Sequence, residues 1–340
     1  MSTPTLERRP THKAFPLLRS EISRISHRRL FRVLSVIFLL GIVLVSGIAF
    51  LAHHEAPEAS DQELSFVLKK EVQRWERCVD QLPSDLTAEE YCGPEPTIDT
   101  VDPYTFREDT RYKAYEDLPF GLLATILVAA AVSFVIGASS GGAEWSSRSM
   151  TLQLLFEPRR LRLLTVKWLG LVTATSALAA VAMLLTVGLG AATASLRGTW
   201  DSRYTPQEIY VIRDALWSSL TSMGLRGVAL TVIAATFGYA IAMLVRNTGA
   251  ALGAAFVYFA LVEIGVRVVL FKYGSEPFML TTNSATAIIP GGVDIPGAEL
   301  PSGGNENVHV SNLRAMVTLL VYAVILSIPA AWSFTRRDVS

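Results

Sequence analysis

Six stretches of this chain are long and apolar enough to cross a bilayer as helices, near residues 33–52, 119–140, 164–190, 225–245, 250–271 and 315–335. A crossing helix takes roughly 20 apolar residues. In lipid each segment must satisfy its own backbone hydrogen bonds, which leaves helices as the structural reading for runs of this kind. The 340 residues are 51 % hydrophobic with mean hydropathy +0.38, too apolar for an ordinary soluble domain of this length. The expected fold class is an all-α membrane protein with six transmembrane helices. The first stretch reads as a span and not as a cleaved signal peptide, because it starts late, is long, and has no small-residue cleavage site after it.

A formal net charge of zero conceals strong segregation. Residues 1–32 carry eight Lys/Arg against Glu7 and Glu21, and the connection 141–163 with its exit at Lys167 is also basic. Arg246 separates the fourth and fifth spans, and Arg336 and Arg337 follow the sixth. The segment 53–118 instead holds seventeen Asp/Glu and seven Lys/Arg. Since Lys/Arg bias sets orientation, the expectation is a multi-pass protein of the cell membrane with both termini cytoplasmic. Residues 53–118, 191–224 and 272–314 then lie outside.

The basic N-terminus places Leu18, Ile22, Ile25, Leu30 and Phe31 on one helical face, with Arg24, Arg28, Arg29 and Arg32 elsewhere. Beside a membrane span this reads as an interfacial helix touching anionic headgroups, not a nucleic-acid surface. The acidic segment 53–118 reads as a small helical insertion. Ser60 to Glu63 is a capping-box pattern, and Leu64, Leu68, Trp75 and Val79 follow at helical spacing. It serves either as a cap or ligand receptor, or as a decoration that stabilises a dimer. Cys78 and Cys92 fall within it. A disulfide there would close a short loop and add about 3 kcal/mol. Free thiols are the alternative, and His53 and His54 match no metal-site spacing. Thr205 to Glu208 forms another box with Pro206 at the first helical position, opening an interfacial helix anchored by Trp217 ahead of the fourth span. Residues 272–314 read as a plain outer loop, with 284–289 apolar enough to dip back into the membrane.

The connection 141–163 carries the functional signal. Leu154, Leu155 and Phe156 precede Pro158, so a short helix ends there with an apolar edge in the cytosol. Arg159, Arg160 and Arg162 are either inside-anchoring charges or part of a docking face, and Lys167 reads as a snorkelling residue. Gly142 to Trp145, then Thr151 to Leu155, then Glu157 to Arg160, then Lys167 resemble the cytosolic segment of type-2 ATP-binding-cassette (ABC) exporter permeases. The likeness extends in layout to the basic N-terminal helix, the six spans and the Arg246–Ala251 turn. In one place the chain departs from the family pattern: Arg148-Ser149 stands where Gly-Thr is common.

The resemblance implies a coupling helix around residues 144–157 that fits a groove on a separate cytosolic ABC-type ATPase. ATP and magnesium would bind on that partner, and no cofactor on this chain. It implies a second permease chain, with a homodimer expected, and membrane lipids as further partners. The residues expected at the ATPase contact are Glu144, Leu154, Leu155, Pro158, Arg159 and Arg160.

The chain has no G-x-x-x-x-G-K-[ST] and no Gly-Lys pair, so no phosphate loop of its own, and neither H-E-x-x-H nor G-x-S-x-G. It is not expected to be an enzyme or to hold a metal. Glu263 is the intramembrane carboxylate, with Arg267 four residues on, and the two form either a pathway element or a structural ion pair. The function expected is the permease subunit of an ATP-driven exporter for a hydrophobic or amphiphilic, drug- or lipid-like substrate. Two alternatives remain: a membrane sensor reading a ligand through the acidic insertion, and an ion-coupled carrier. The carrier predicts several buried ionisable groups and inverted repeats.

Overall fold

The computed structural model describes residues 14–54, 60–81, 87–98, 100–101, 110–147, 149–150, 153, 159–200, 206–270, 273–299 and 305–336. Among these, six helices are long and apolar enough to cross a membrane. They are α2 (Arg29–Ala52), α5 (Ala114–Ser146), α6 (Arg160–Arg197), α7 (Pro206–Val245), α8 (Thr248–Leu270) and α10 (Asn312–Arg336). They alternate in direction, giving the bundle a proximal end, where α1 (Ala14–Ser26) lies, and a distal end. At the distal end sit α3 (Asp61–Val79), α4 (Ala88–Cys92), β1 (Tyr112–Lys113) and β2 (Gly198–Thr199). The short helix α9 (Leu280–Thr286) and the hairpin of β3 (Val293–Glu299) and β4 (Asn305–Val310) join them there.

The centre of the bundle is the crossing of α5 and α7, the most closely packed pair of elements. It depends on reciprocal glycines. A Cβ on Gly137 would run into the Ala235 carbonyl, and one on Gly238 into the Phe134 carbonyl. Lipid tails are as apolar as the side chains, so close backbone approach, not expulsion of water, holds such helices together. Around the crossing Leu122, Ile126, Ile136, Leu171, Met223 and Leu230 form a closed core. By contrast, only 11 % of the apolar window of α2 and 6 % of that of α8 is covered. Those two helices present apolar faces to lipid or to another chain.

The helices α5 and α7 run further than the apolar runs that mark them, and α6 also overruns its own, to Arg197. α5 passes through Gly141 and Gly142 to Ser146, because both glycines let neighbours close in: Ala242 and Tyr239 at Gly141, Thr248 at Gly142. α7 is one continuous helix from Pro206, where the sequence suggests an interfacial helix and then a span from 225. Ser218, Thr221 and Ser222 return their hydroxyls to the Ala215, Trp217 and Ser219 carbonyls, so this polar run stays helical. Thr205, the expected cap, lies outside the described residues.

The distal insertion is folded. Ser60 Oγ accepts from Glu63 N at 3.3 Å while Glu63 returns to Ser60 N at 3.0 Å, completing the capping box of α3. Cys78 and Cys92 are disulfide-bonded, and Trp75 Nε1 donates to the Gly93 carbonyl at 3.0 Å, tying α4 to α3. Arg197 closes the rim by donating to the Phe50 and His53 carbonyls at the end of α2. Tyr112, buried beside it, has its hydroxyl pKa pushed up to about 12 by burial and then by the Asp117 charge.

Residues 276–289 turn back against α10 and α5 instead of lying as an open loop, with Ala287 and Ile288 fully buried. Asn312 caps this segment, its Nδ2 donating to the Thr286 and Ile289 carbonyls at 2.7 and 2.6 Å.

Candidate functional site

At the proximal end the last turn of α5 meets α1 and the start of α6. Glu144 is 4 % exposed and faces three cations. Lys167 Nζ lies 2.8 Å from its Oε2 and Arg28 Nη2 2.9 Å from its Oε1, and Arg24 pairs with that same Oε1. Glu21 completes the cluster, 2.9 Å from Arg24 and 3.5 Å from Lys167. Gly170 on α6 makes the approach of α1 possible, since a Cβ there would stand 3.0 Å from Glu21 Cβ. Four charges from three helices and Arg28 from the turn between α1 and α2 therefore share one largely buried site. Ionised groups in such a place persist when they are paired and hydrogen-bonded.

This changes the reading of several residues. Glu144, expected at the ATPase contact, is buried within the bundle because α5 extends past Gly142. Lys167 is 3 % exposed and turns inward to Glu144, where the sequence suggests snorkelling. Arg24 and Arg28 also turn inward, while Arg29 stays exposed. A cleft of about 440 Å³ opens beside the cluster, lined by Arg24, Arg28, Arg29, Glu144 and Ser149 among others.

Of the other residues expected at the ATPase contact, Leu154, Leu155 and Pro158 lie outside the described residues. Arg159 is exposed. Arg160 reaches across to α10, donating to the Phe334 and Thr335 carbonyls at 3.3 and 3.1 Å. These are among the last carbonyls of that helix, which lack partners within it. A neighbouring knot joins α5 to the turn before α8. Arg246, the one described non-glycine residue in the left-handed region (φ 55°), lays its guanidinium 4.3 Å over the Trp145 ring. The edge of Trp145 meets Phe334. The proximal ends of α5, α6, α8 and α10 are thus linked by specific side-chain contacts.

A second polar centre lies towards the distal end of α8, where the helix widens to a π-helical segment over Phe259–Val266. Such widenings favour functional positions, and this one aims Glu263 at the start of α9. Its carboxylate accepts from Leu280 N at 2.7 Å, Thr281 Oγ1 at 2.5 Å and Tyr258 Oη at 3.2 Å. Arg267 stands 3.5 Å from Glu263 and 3.0 Å from Glu276, and donates to Thr281 and Thr282. The pair is therefore part of a larger pin that fixes the returning segment to α8.

Arg226, on α7, is a charged residue that sequence reasoning passed over. Its hydrogen bond among the described residues goes to Ser222 Oγ at 3.1 Å. The available signal was a lone arginine within the apolar length of a span, which is a functional suspect by default.

A family model described as "ABC-2 family transporter protein" matches residues 15–339. No curated protein matches the chain.

Proposed function

The chain belongs to the ABC-2 transporter family, and from that premise we propose that it forms the translocation path of an ATP-driven exporter. As a member it is a transport component of the membrane, not a catalytic one. A separate cytosolic ABC-type ATPase drives it, binding ATP and magnesium on its own subunits. Two permease chains with two ATPase chains make the working unit. The uncovered faces of α2 and α8 support such pairing, since a second chain would bury apolar surface that this one leaves open. The proximal end, with both termini, faces the cytoplasm. The cargo is hydrophobic or amphiphilic.

The observation that carries this reading is the charge cluster around Glu144. The connection between α5 and α6 is flanked by Glu144 on one side and Lys167 on the other, and the two are paired. A push delivered there by a nucleotide-driven partner reaches α5, α6 and α1 as one body, as coupling between distant sites requires. In this account Leu154, Leu155, Pro158 and Arg159 meet the ATPase, while Glu144 and Arg160 transmit its motion.

Arg159→Glu tests the contact, because Arg159 is exposed and no described hydrogen bond or ion pair uses its side chain. The expected result is loss of the co-purifying ATPase with an unchanged Tm. Retention of the ATPase at wild-type stoichiometry, with transport intact, would remove Arg159 from the contact.

A further inference from the structure

Two contacts set the depth of Arg226. Its neighbour Gly227 packs against Ile126 of α5 and Met183 of α6, both well inside those helices. Along α7 itself, Trp217 stacks on Trp200 at the distal rim, and Tyr239 lies level with Gly141 near the proximal cluster. At the helical rise, Arg226 is about 14 Å from Trp217 and about 20 Å from Tyr239. That places it within the apolar layer.

A cation at such a depth is costly unless it is paired or faces a water-filled path. The buried charges discussed above have partners: Glu144 pairs with Lys167, and Glu263 with Arg267 and the start of α9. Among the described residues no carboxylate lies near enough to pair with Arg226, and its Nε is closed off from solvent without a partner. Arg226 also continues a polar strip. Ser218, Thr221 and Ser222 precede it on the same side of α7, beside Leu225, which is 70 % exposed. Hydroxyls and a guanidinium on a half-open side of a span are poorly matched to acyl chains. They suit a lining that something polar passes.

We propose that Arg226, with the Ser222 hydroxyl, binds the anionic group of the transported molecule, so that the cargo is an anionic amphiphile. Its head would be a phosphate, carboxylate or sulfonate on an apolar tail. A guanidinium is suited to this because its planar fork meets two oxygens of such a head at once, and the flanking apolar surface accommodates the tail. The inference rests on the exporter reading and narrows its substrate class.

The test is native mass spectrometry of the full chain with dodecyl phosphate, dodecyltrimethylammonium and dodecyl maltoside at equal concentrations. Wild type should retain dodecyl phosphate at least about tenfold more tightly than either of the others, the scale of a lost charged contact. Arg226→Gln should erase that preference and Arg226→Lys should keep most of it. The proximal arginines can also hold an anion, so the quantity read is the difference between wild type and Arg226→Gln. An unchanged Tm in Arg226→Gln separates loss of binding from loss of fold. Equal retention of dodecyl phosphate by wild type and Arg226→Gln overturns the proposal, as does a wild type without preference for the anion. If the preference holds but no ATPase accompanies the chain, the site stands and the exporter reading falls.

Discussion

Glu144→Gln removes one charge and almost no volume from the proximal cluster, so its effect isolates the electrostatics of that site. The carboxylate is 4 % exposed and sits 2.8 Å from Lys167 and 2.9 Å from Arg28. Breaking a buried pair by neutralising one partner costs about 3–5 kcal/mol, because the other charge stays buried and uncompensated. Lys167, 3 % exposed, dominates that cost. Arg24, with a third of its side chain open to solvent, adds little because water screens it. Glu21 stays 3.5 Å from Lys167 and offsets part of the loss, which favours the low end, about 3 kcal/mol. At about 2 °C per kcal/mol for a chain of this size, the variant should unfold about 6 °C below wild type. Thermal unfolding in a fixed detergent gives the shift. Lys167→Met combined with Glu144→Gln should cost less than the two single changes added together, since a buried pair replaced on both sides is nearly neutral. A Glu144→Gln Tm within 1 °C of wild type, or strict additivity in that cycle, would refute the reasoning.

Other perturbations test other parts of the account. Gly137→Leu should prevent α5 and α7 from closing and yield a misfolded or aggregated product, read by size-exclusion chromatography. Glu263→Gln should loosen the returning segment, seen as faster hydrogen exchange over residues 276–289 while α5 and α7 stay protected. Tyr112 is held neutral in the fold to about pH 12 and ionises near pH 10 when unfolded. Its contribution is therefore complete below pH 10 and lost as pH rises towards 12, so alkaline destabilisation over that window should be smaller in Tyr112→Phe. Ser147→Cys, exposed at the end of α5, should react with an impermeant maleimide only from the cytoplasmic side.

The six spans were legible because twenty apolar residues in a row have few other uses, and α3 because its capping box is a purely local device. The Glu144 cluster was not legible. Arg24 and Arg28 come from α1 and the turn after it, more than a hundred residues away in the chain, and nothing in the local pattern shows that α5 continues through two glycines to bury the carboxylate. The same limit applied to Lys167, whose position at the base of a span looks identical for snorkelling and for an inward pair. The Glu263–Arg267 spacing announced an ion pair. The amides of Leu280 and Thr281 that complete it depend on how the chain returns after α8. Arg226 was missed because its depth follows from where Gly227 packs and not from its neighbours in sequence.

The central claim is that this chain is the membrane subunit of an ATP-driven machine. Purifying the tagged chain from its native membranes in mild detergent, and identifying what accompanies it, tests that claim most directly. The account predicts a soluble subunit with a phosphate-loop ATPase motif, present in equal number. Recovery of the chain without any ATPase, under conditions that keep other membrane complexes whole, would contradict it.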